Sequence, residues 1–299
     1  MKQDFTNEYN FIRTGGIGFY EQKRGLIAVW GKEAVQFLNG LITNDVAKIE
    51  DNGQMSAAFP NAQGRLLATV RVLRKDDKFL FETEAETHAK VFQNLFRFTF
   101  AGDFFVEDLS DDFTYFEISN FKSPISNPDF IEFQNNFGAN VFVLNDRAED
   151  FLNELKNKNG VKISDELYEV LRIENGTPLY GVDADETTIV PELGIDGLVS
   201  YQKGCYIGQE IIARIHFRGH IAKQLTGLIL ETEAKPNDEL RSLDGKNAGK
   251  ITSVTFSPKL EKFIALAFVR YDYLAEGTEL KVDQMTATVK HLPFVAQVS

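Results

Sequence analysis

Cysteine is almost absent from this chain: among 299 residues only Cys205 carries a thiol. An internal disulfide is excluded, and so is an iron-sulfur or zinc site built from four cysteines of a single chain. No uncharged apolar run reaches the roughly 18 residues of a membrane-spanning helix. The opening "MKQDFTNEYNFIRTGG" lacks the apolar stretch of a secretory leader, so a cytoplasmic protein without membrane contact is expected. Positive charge is also short. With 32 Lys+Arg against 44 Asp+Glu the formal net charge is -12, the wrong sign for a general nucleic-acid binder.

What is present is enough apolar material for substantial cores, at 43% hydrophobic and 12% aromatic residues, in a length of about two domains. "GLIAVWG" reads as a buried strand, and "KEAVQFLNGLI" spaces Ala34, Val35, Leu38, Leu41 and Ile42 as a helix does. "RLLATVRVL", "KFLFETE", a helix over "ETHAKVFQNLFRF" and a strand at "DFFVED" follow in the order of a small α+β unit. Pro124 and Pro128 mark a loop, "ANVFVLN" a strand, "AEDFLNELKNK" a helix, and "ELYEVLRIENG" a helix ended by Gly176. From 223 onward, short strands separated by Gly, Asp and Pro turns predict a small β-barrel or sandwich.

Phosphate-loop patterns fail: "TGGIGFYE" lacks the third glycine of a dinucleotide fingerprint, and "GLIAVWGKE" has the wrong spacing for a P-loop. His216 and His220 are four apart, but Gly219 interrupts a shared helix face, so no metal site is expected there. The acidic "VDADE", Asp183 to Glu186, lacks the residues of a calcium loop and reads as a solvated turn.

The segment around Cys205 is richer. "QEIIARIH" puts Ile207, Ile211, Ile212 and Ile215 on one stripe, so a helix should begin just after the cysteine. Helix-start N–H groups and nearby Lys203 make an electropositive setting of the kind that activates thiols. Gly204 and Gly208 would let the backbone bend and expose the sulfur. The bland alternative is a small buried hydrophobe, the commoner fate of a lone cysteine. Lys203, Arg214, Arg218 and Lys223 face only Glu210, a local excess of positive charge that suits either an anionic ligand or a solvated helix flank.

"KGCYIGQE" resembles the Lys-Gly-Cys-Tyr-x-Gly-Gln-Glu signature of the YgfZ-type folate-binding proteins, iron-sulfur assembly factors related to the aminomethyltransferase (T-protein) of the glycine cleavage system. "FLNGLITNDV", "FPNAQGRLLATVRVLR", "LRIENGTPLYGVD", "VPELGID", "ARIHFRGH" and "GKITSVTFSPKLEKFIALAFVR" resemble further stretches of that superfamily, spanning nearly the whole chain. The resemblance implies an α+β, three-domain, ring-like aminomethyltransferase fold with an inserted ferredoxin-like domain and a C-terminal β-barrel. The division it suggests is 1–55 and 166–222 for the N-terminal domain, 56–110 and 111–165 for the insertion, and 223–299 for the barrel.

The same resemblance implies a tetrahydrofolate or polyglutamyl folate ligand, with Asn44, Asn61, Arg65 and Arg172 as contacts. It gives Cys205 and Lys203 the chemical roles and has Gly204, Tyr206, Gly208, Gln209 and Glu210 shape the loop. It also implies a transient iron-sulfur cluster shared with carrier or client proteins, because one thiol cannot hold a cluster alone. Two departures from the T-protein disfavour amine transfer. Ala68 and Thr69 stand where a strand aspartate is expected, and the segment Gly-Tyr-Thr-Gly-Glu-x-Gly-x-Glu has no clear counterpart. A folate-dependent one-carbon enzyme and a non-catalytic folate-binding scaffold are the alternatives.

Overall fold

The computed structural model describes residues 2–121, 130–135 and 137–295, so the loop expected at Pro124 and Pro128 lies outside the described residues. Three sheets organise the chain. In spatial order the first contains Gln54–Pro60, Leu66–Lys75, Lys78–Glu84, Arg24–Trp30 and Phe105–Asp108, all antiparallel. It therefore draws on both sides of position 55. Its period-2 alternation turns Ala68, Val70, Val72, Phe79 and Phe81 toward the helices Ala34–Leu41 and Ala85–Phe96, which cover that face.

The second sheet runs Val161–Lys162, Gly18–Gln22, Phe113–Ser119, Gly138–Leu144 and Phe130–Asn135. Helix Ala148–Asn157 packs on it through Phe151 and Leu155. A layer of Leu26, Ala28, Leu80, Tyr115, Phe133 and Phe142 joins the two sheets. The last sheet is a closed barrel of six strands, which decides between the barrel and the sandwich that the turn spacing left open, beginning at Lys223–Leu230 and closing against Met285–Lys290. Closure leaves it no free edge.

Helix Asp165–Glu174 connects these bodies. Ser164 caps its first turn through the Leu167 N–H, and Gly176, at φ +72, takes the left-handed conformation after its end. Its apolar face meets Tyr9 and Ile12 of the first helix, Lys2–Arg13, while Ile173 packs with Leu225, Ile264, Leu266 and Phe268 on the face of the barrel strands opposite the barrel interior. The first helix was not expected from the sequence, although Phe5, Tyr9 and Ile12 carry its spacing. Among the described residues no helix is long and apolar enough to cross a membrane.

Candidate functional site

Where the two open sheets and helix Asp165–Glu174 meet, a cavity of about 300 Å³ opens. Alternation along Leu66–Lys75 aims Thr69 and Arg71 into it and Ala68 into the core. Lys78–Glu84 contributes Glu82 and Glu84, and Phe113–Ser119 contributes Glu117. Three carboxylates thus reach the cavity although the strand holding Ala68 and Thr69 supplies none. The sequence offered a signal, Glu82 and Glu84 at alternate positions of a buried strand, but not which sheet would face that strand.

The carboxylates are not equivalent. Glu82 accepts from Arg71 and, at 2.9 Å, from the Tyr115 hydroxyl. Glu84 accepts from Thr69 at 3.2 Å and from the Tyr180 N–H at 3.0 Å. Glu117 accepts from Gln22 Nε2 at 3.1 Å, and burial pushes its pKa above the ordinary 4.5, with Arg24 and Arg71 opposing. Among the described residues two side-chain atoms of the lining, Arg24 Nε and Asn175 Oδ1, are buried without a hydrogen-bond partner, Arg24 Nε lying in an ion pair 3.5 Å from Glu82 Oε1. A buried donor and a buried acceptor left open cost free energy unless a ligand or water meets them.

The signature loop lies beside this cavity, not in its lining. Its backbone is fastened at several points. Ser200 N–H donates to Thr43 O at 2.9 Å, Ile207 N–H to Gly40 O at 3.1 Å, and Thr43 Oγ1 to Leu198 O at 2.6 Å. Lys203 is buried, donates to the carbonyls of Ile42 and Asn44 at 2.8 and 2.6 Å, and lies 5.2 Å from the Tyr206 ring centroid. Burial pushes its pKa down to about 8, and that of buried Tyr206 up to about 12. Gly208, at φ +80, caps helix Gln209–Arg218; a Cβ there would stand 2.3 Å from Asn61 O. Cys205 is exposed.

The comparisons with known proteins agree with the fold. Residues 223–295 match the glycine cleavage T-protein C-terminal barrel domain. The aminomethyltransferase of Bdellovibrio bacteriovorus is 27% identical over 97% of this chain and 91% of its own. That of Thermoanaerobacter pseudethanolicus is 24% identical over 94% and 85%. The crystal structure of glycine cleavage system aminomethyltransferase T from Bartonella henselae superposes with a TM-score of 0.88, covering 98% of this chain and 90% of that one at 19% identity. The chain has the aminomethyltransferase fold.

Within the aminomethyltransferase fold the expected site residues part company. Of the four anticipated folate contacts only Arg172 lines the cavity. Its guanidinium is already committed to Glu169, Thr177 O, Asp183 and Ser253. Asn44 donates to Ser56 O and Gly197 O, and Asn61 accepts from the Gln63 and Arg65 N–H groups. Arg65 donates to Thr187 O. These three residues shape turns around the signature loop.

Lys203 holds that loop down, because its ammonium is occupied by two backbone carbonyls rather than directed at the thiol. Gly204 has nothing within 4 Å of a Cβ position, so the bend does not require glycine there. The isoleucine stripe is buried only at Ile212; Ile211 flanks Gly64 and Ile215 is half-buried. Gln209 is half-buried and Glu210 exposed. Arg214 and Arg218 are exposed away from the cavity lining, and Lys223 lies over the Phe268 ring. The "VDADE" turn also differs from expectation. Asp183 is buried and accepts from Arg172, Thr252 and Ser253, tying the helix to the barrel. His216 stacks on Tyr201 and His220 on Tyr271.

Proposed function

We propose that this chain binds a reduced folate in the central cavity and serves as an accessory protein in assembly or repair of 4Fe-4S clusters, with Cys205 as the working thiol. The observation that carries the reading is the separation of two sites: a polar cavity with buried groups short of hydrogen-bond partners, and a thiol exposed outside it on a clamped loop. The cavity's chemistry suits a pterin. Such a ring presents adjacent N–H donors that a carboxylate like Glu117 accepts, and mixed ring acceptors and donors for Arg24 Nε and Asn175 Oδ1. Thr69 and Pro178 would border the ring.

Around Cys205, Lys203 and Tyr206 are turned inward and Gly208 is pressed on Asn61, so the sulfur is the chemically distinctive atom left outside. Among the described residues no group of three His, Cys, Asp or Glu side chains could hold a metal ion. A cluster handled here is cargo, and its remaining ligands would come from a carrier or client protein. Calorimetry with tetrahydrofolate tests the cavity: wild type should bind, and Glu117→Gln should weaken binding about tenfold or more by turning one acceptor edge into a donor.

A second reading, a folate-dependent aminomethyltransferase, is favoured by the names of the relatives and by Glu84 and Glu117 in the cavity. Purified protein forming methylenetetrahydrofolate from an aminomethyl donor and tetrahydrofolate would establish it over the first.

A further inference from the structure

Among the described residues the strand Phe105–Asp108 ends the first sheet and pairs on one side only, with Arg24–Trp30. The Leu109 N–H reaches Leu26 O at 2.8 Å. In an antiparallel ladder alternate residues bond the same neighbour, so Glu107 and Phe105 also face inward. The backbone groups of Val106 and Asp108 then face out, an open rung for another strand.

Beside this edge is a cleft of about 560 Å³ whose lining mixes the aromatic rings of Trp30, Phe96, Phe104 and Phe105 with the polar groups of Thr99 and Glu107. Phe105 stacks on Trp30 at 5.6 Å yet is 52% exposed; Phe96 is also 52% exposed and Phe100 89%. Short, charged edge strands often serve only to prevent aggregation. Phe96 and Phe105, left half in water in the cleft beside the edge, work against that purpose and mark an interaction surface.

Charge selects the partner. Residues 102 to 112 carry Asp103, Glu107, Asp108, Asp111 and Asp112 with no Lys or Arg. Lys32 pairs with Asp103 and His88 with Asp108, which leaves Glu107, Asp111 and Asp112 as exposed carboxylates. A second copy would bring the same acids against this edge, whereas alternating cationic and apolar side chains would complement it. We propose that this edge and cleft dock an extended segment of a partner protein in which Lys or Arg alternates with aromatic or β-branched residues, added as a sixth strand by β-augmentation.

The test uses the full chain and an end-blocked hexapeptide, Lys-Val-Lys-Phe-Lys-Val, in fluorescence anisotropy. The peptide should bind, with about tenfold loss on N-methylating its alternate edge-facing amides or on replacing its lysines by glutamate. Val106→Pro, which removes an outward N–H at a position where an edge strand tolerates proline, should cause a similar loss while the melting temperature is retained. If that variant unfolds, the N-methylated peptide against wild type decides. No binding, or equal binding by the N-methylated or glutamate peptide, overturns the proposal. So does unchanged binding by folded Val106→Pro. Sedimentation showing dimers that Val106→Pro dissolves would assign the edge to a second copy instead.

Discussion

The Lys203 ammonium donates to the backbone carbonyl of Asn44 at 2.6 Å, joining residues 159 apart in sequence. Together with the bond to Ile42 O it anchors the Cys205 loop to the turn after helix Ala34–Leu41. The lysine of the signature is thus a fastening as well as a charge.

This fastening has a pH signature. Burial depresses the Lys203 pKa from 10.5 to about 8, so between those values the unfolded chain retains a proton that the folded chain has released. Unfolding free energy from this group therefore rises with pH across that window; the burial penalty is present below about 8. Urea titrations from pH 7 to 10.5 should show the gain in wild type and its loss in Lys203→Met. Parallel curves for the two proteins would remove the assignment.

The two signature glycines should separate by mutation. Gly208→Ala forces a side chain into the left-handed region and onto Asn61 O, costing at least about 2 kcal/mol. Gly204→Ala meets open space and should stay within about 0.5 kcal/mol of wild type. Equilibrium denaturation checks both, and equal losses would contradict the loop geometry.

Breaking the buried hub at Asp183 should be more damaging. Arg172 and Asp183 are paired at 2.7 Å with side chains 1% and 0% exposed. Asp183→Ala leaves the guanidinium short of its partner and should cost about 3–5 kcal/mol. A near-neutral change in denaturation would show that Glu169 and water replace the aspartate.

Folate affinity should fall in acid. Glu117 must be ionised to accept from a pterin edge, and its pKa is raised by burial above 4.5. Lowering pH through that raised value should weaken tetrahydrofolate binding in wild type, with a flatter profile in Glu117→Gln. Calorimetry at stepped pH reads the difference; identical profiles would exclude Glu117 from the contact.

Local patterns reveal the elements more readily than the cavity. "KFLFETE" contains the alternation that divides Phe79 and Phe81 from Glu82 and Glu84, and the turns after 223 contain the barrel's rhythm. Neither indicates that Lys78–Glu84 will face Phe113–Ser119, the pairing of surfaces that brings Glu82 and Glu117 together. Arg172, expected as a folate contact, and Asp183, expected in a solvated turn, become a buried pair only when helix Asp165–Glu174 is seated on the barrel. The exposure of Cys205 follows from contacts made by its neighbours: Lys203 and Tyr206 go in, and Gly208 lies flat on Asn61. Those contacts depend on residues 40 to 61, far from the signature itself.

Folate held in the cavity and a thiol working outside it can be separated in one experiment. Activity of 4Fe-4S enzymes is measured in cells lacking this protein and supplied with wild type or Cys205→Ser, the variant first shown to bind tetrahydrofolate as wild type does. Wild type should restore those activities and Cys205→Ser should not. Full restoration by Cys205→Ser would contradict the thiol's role.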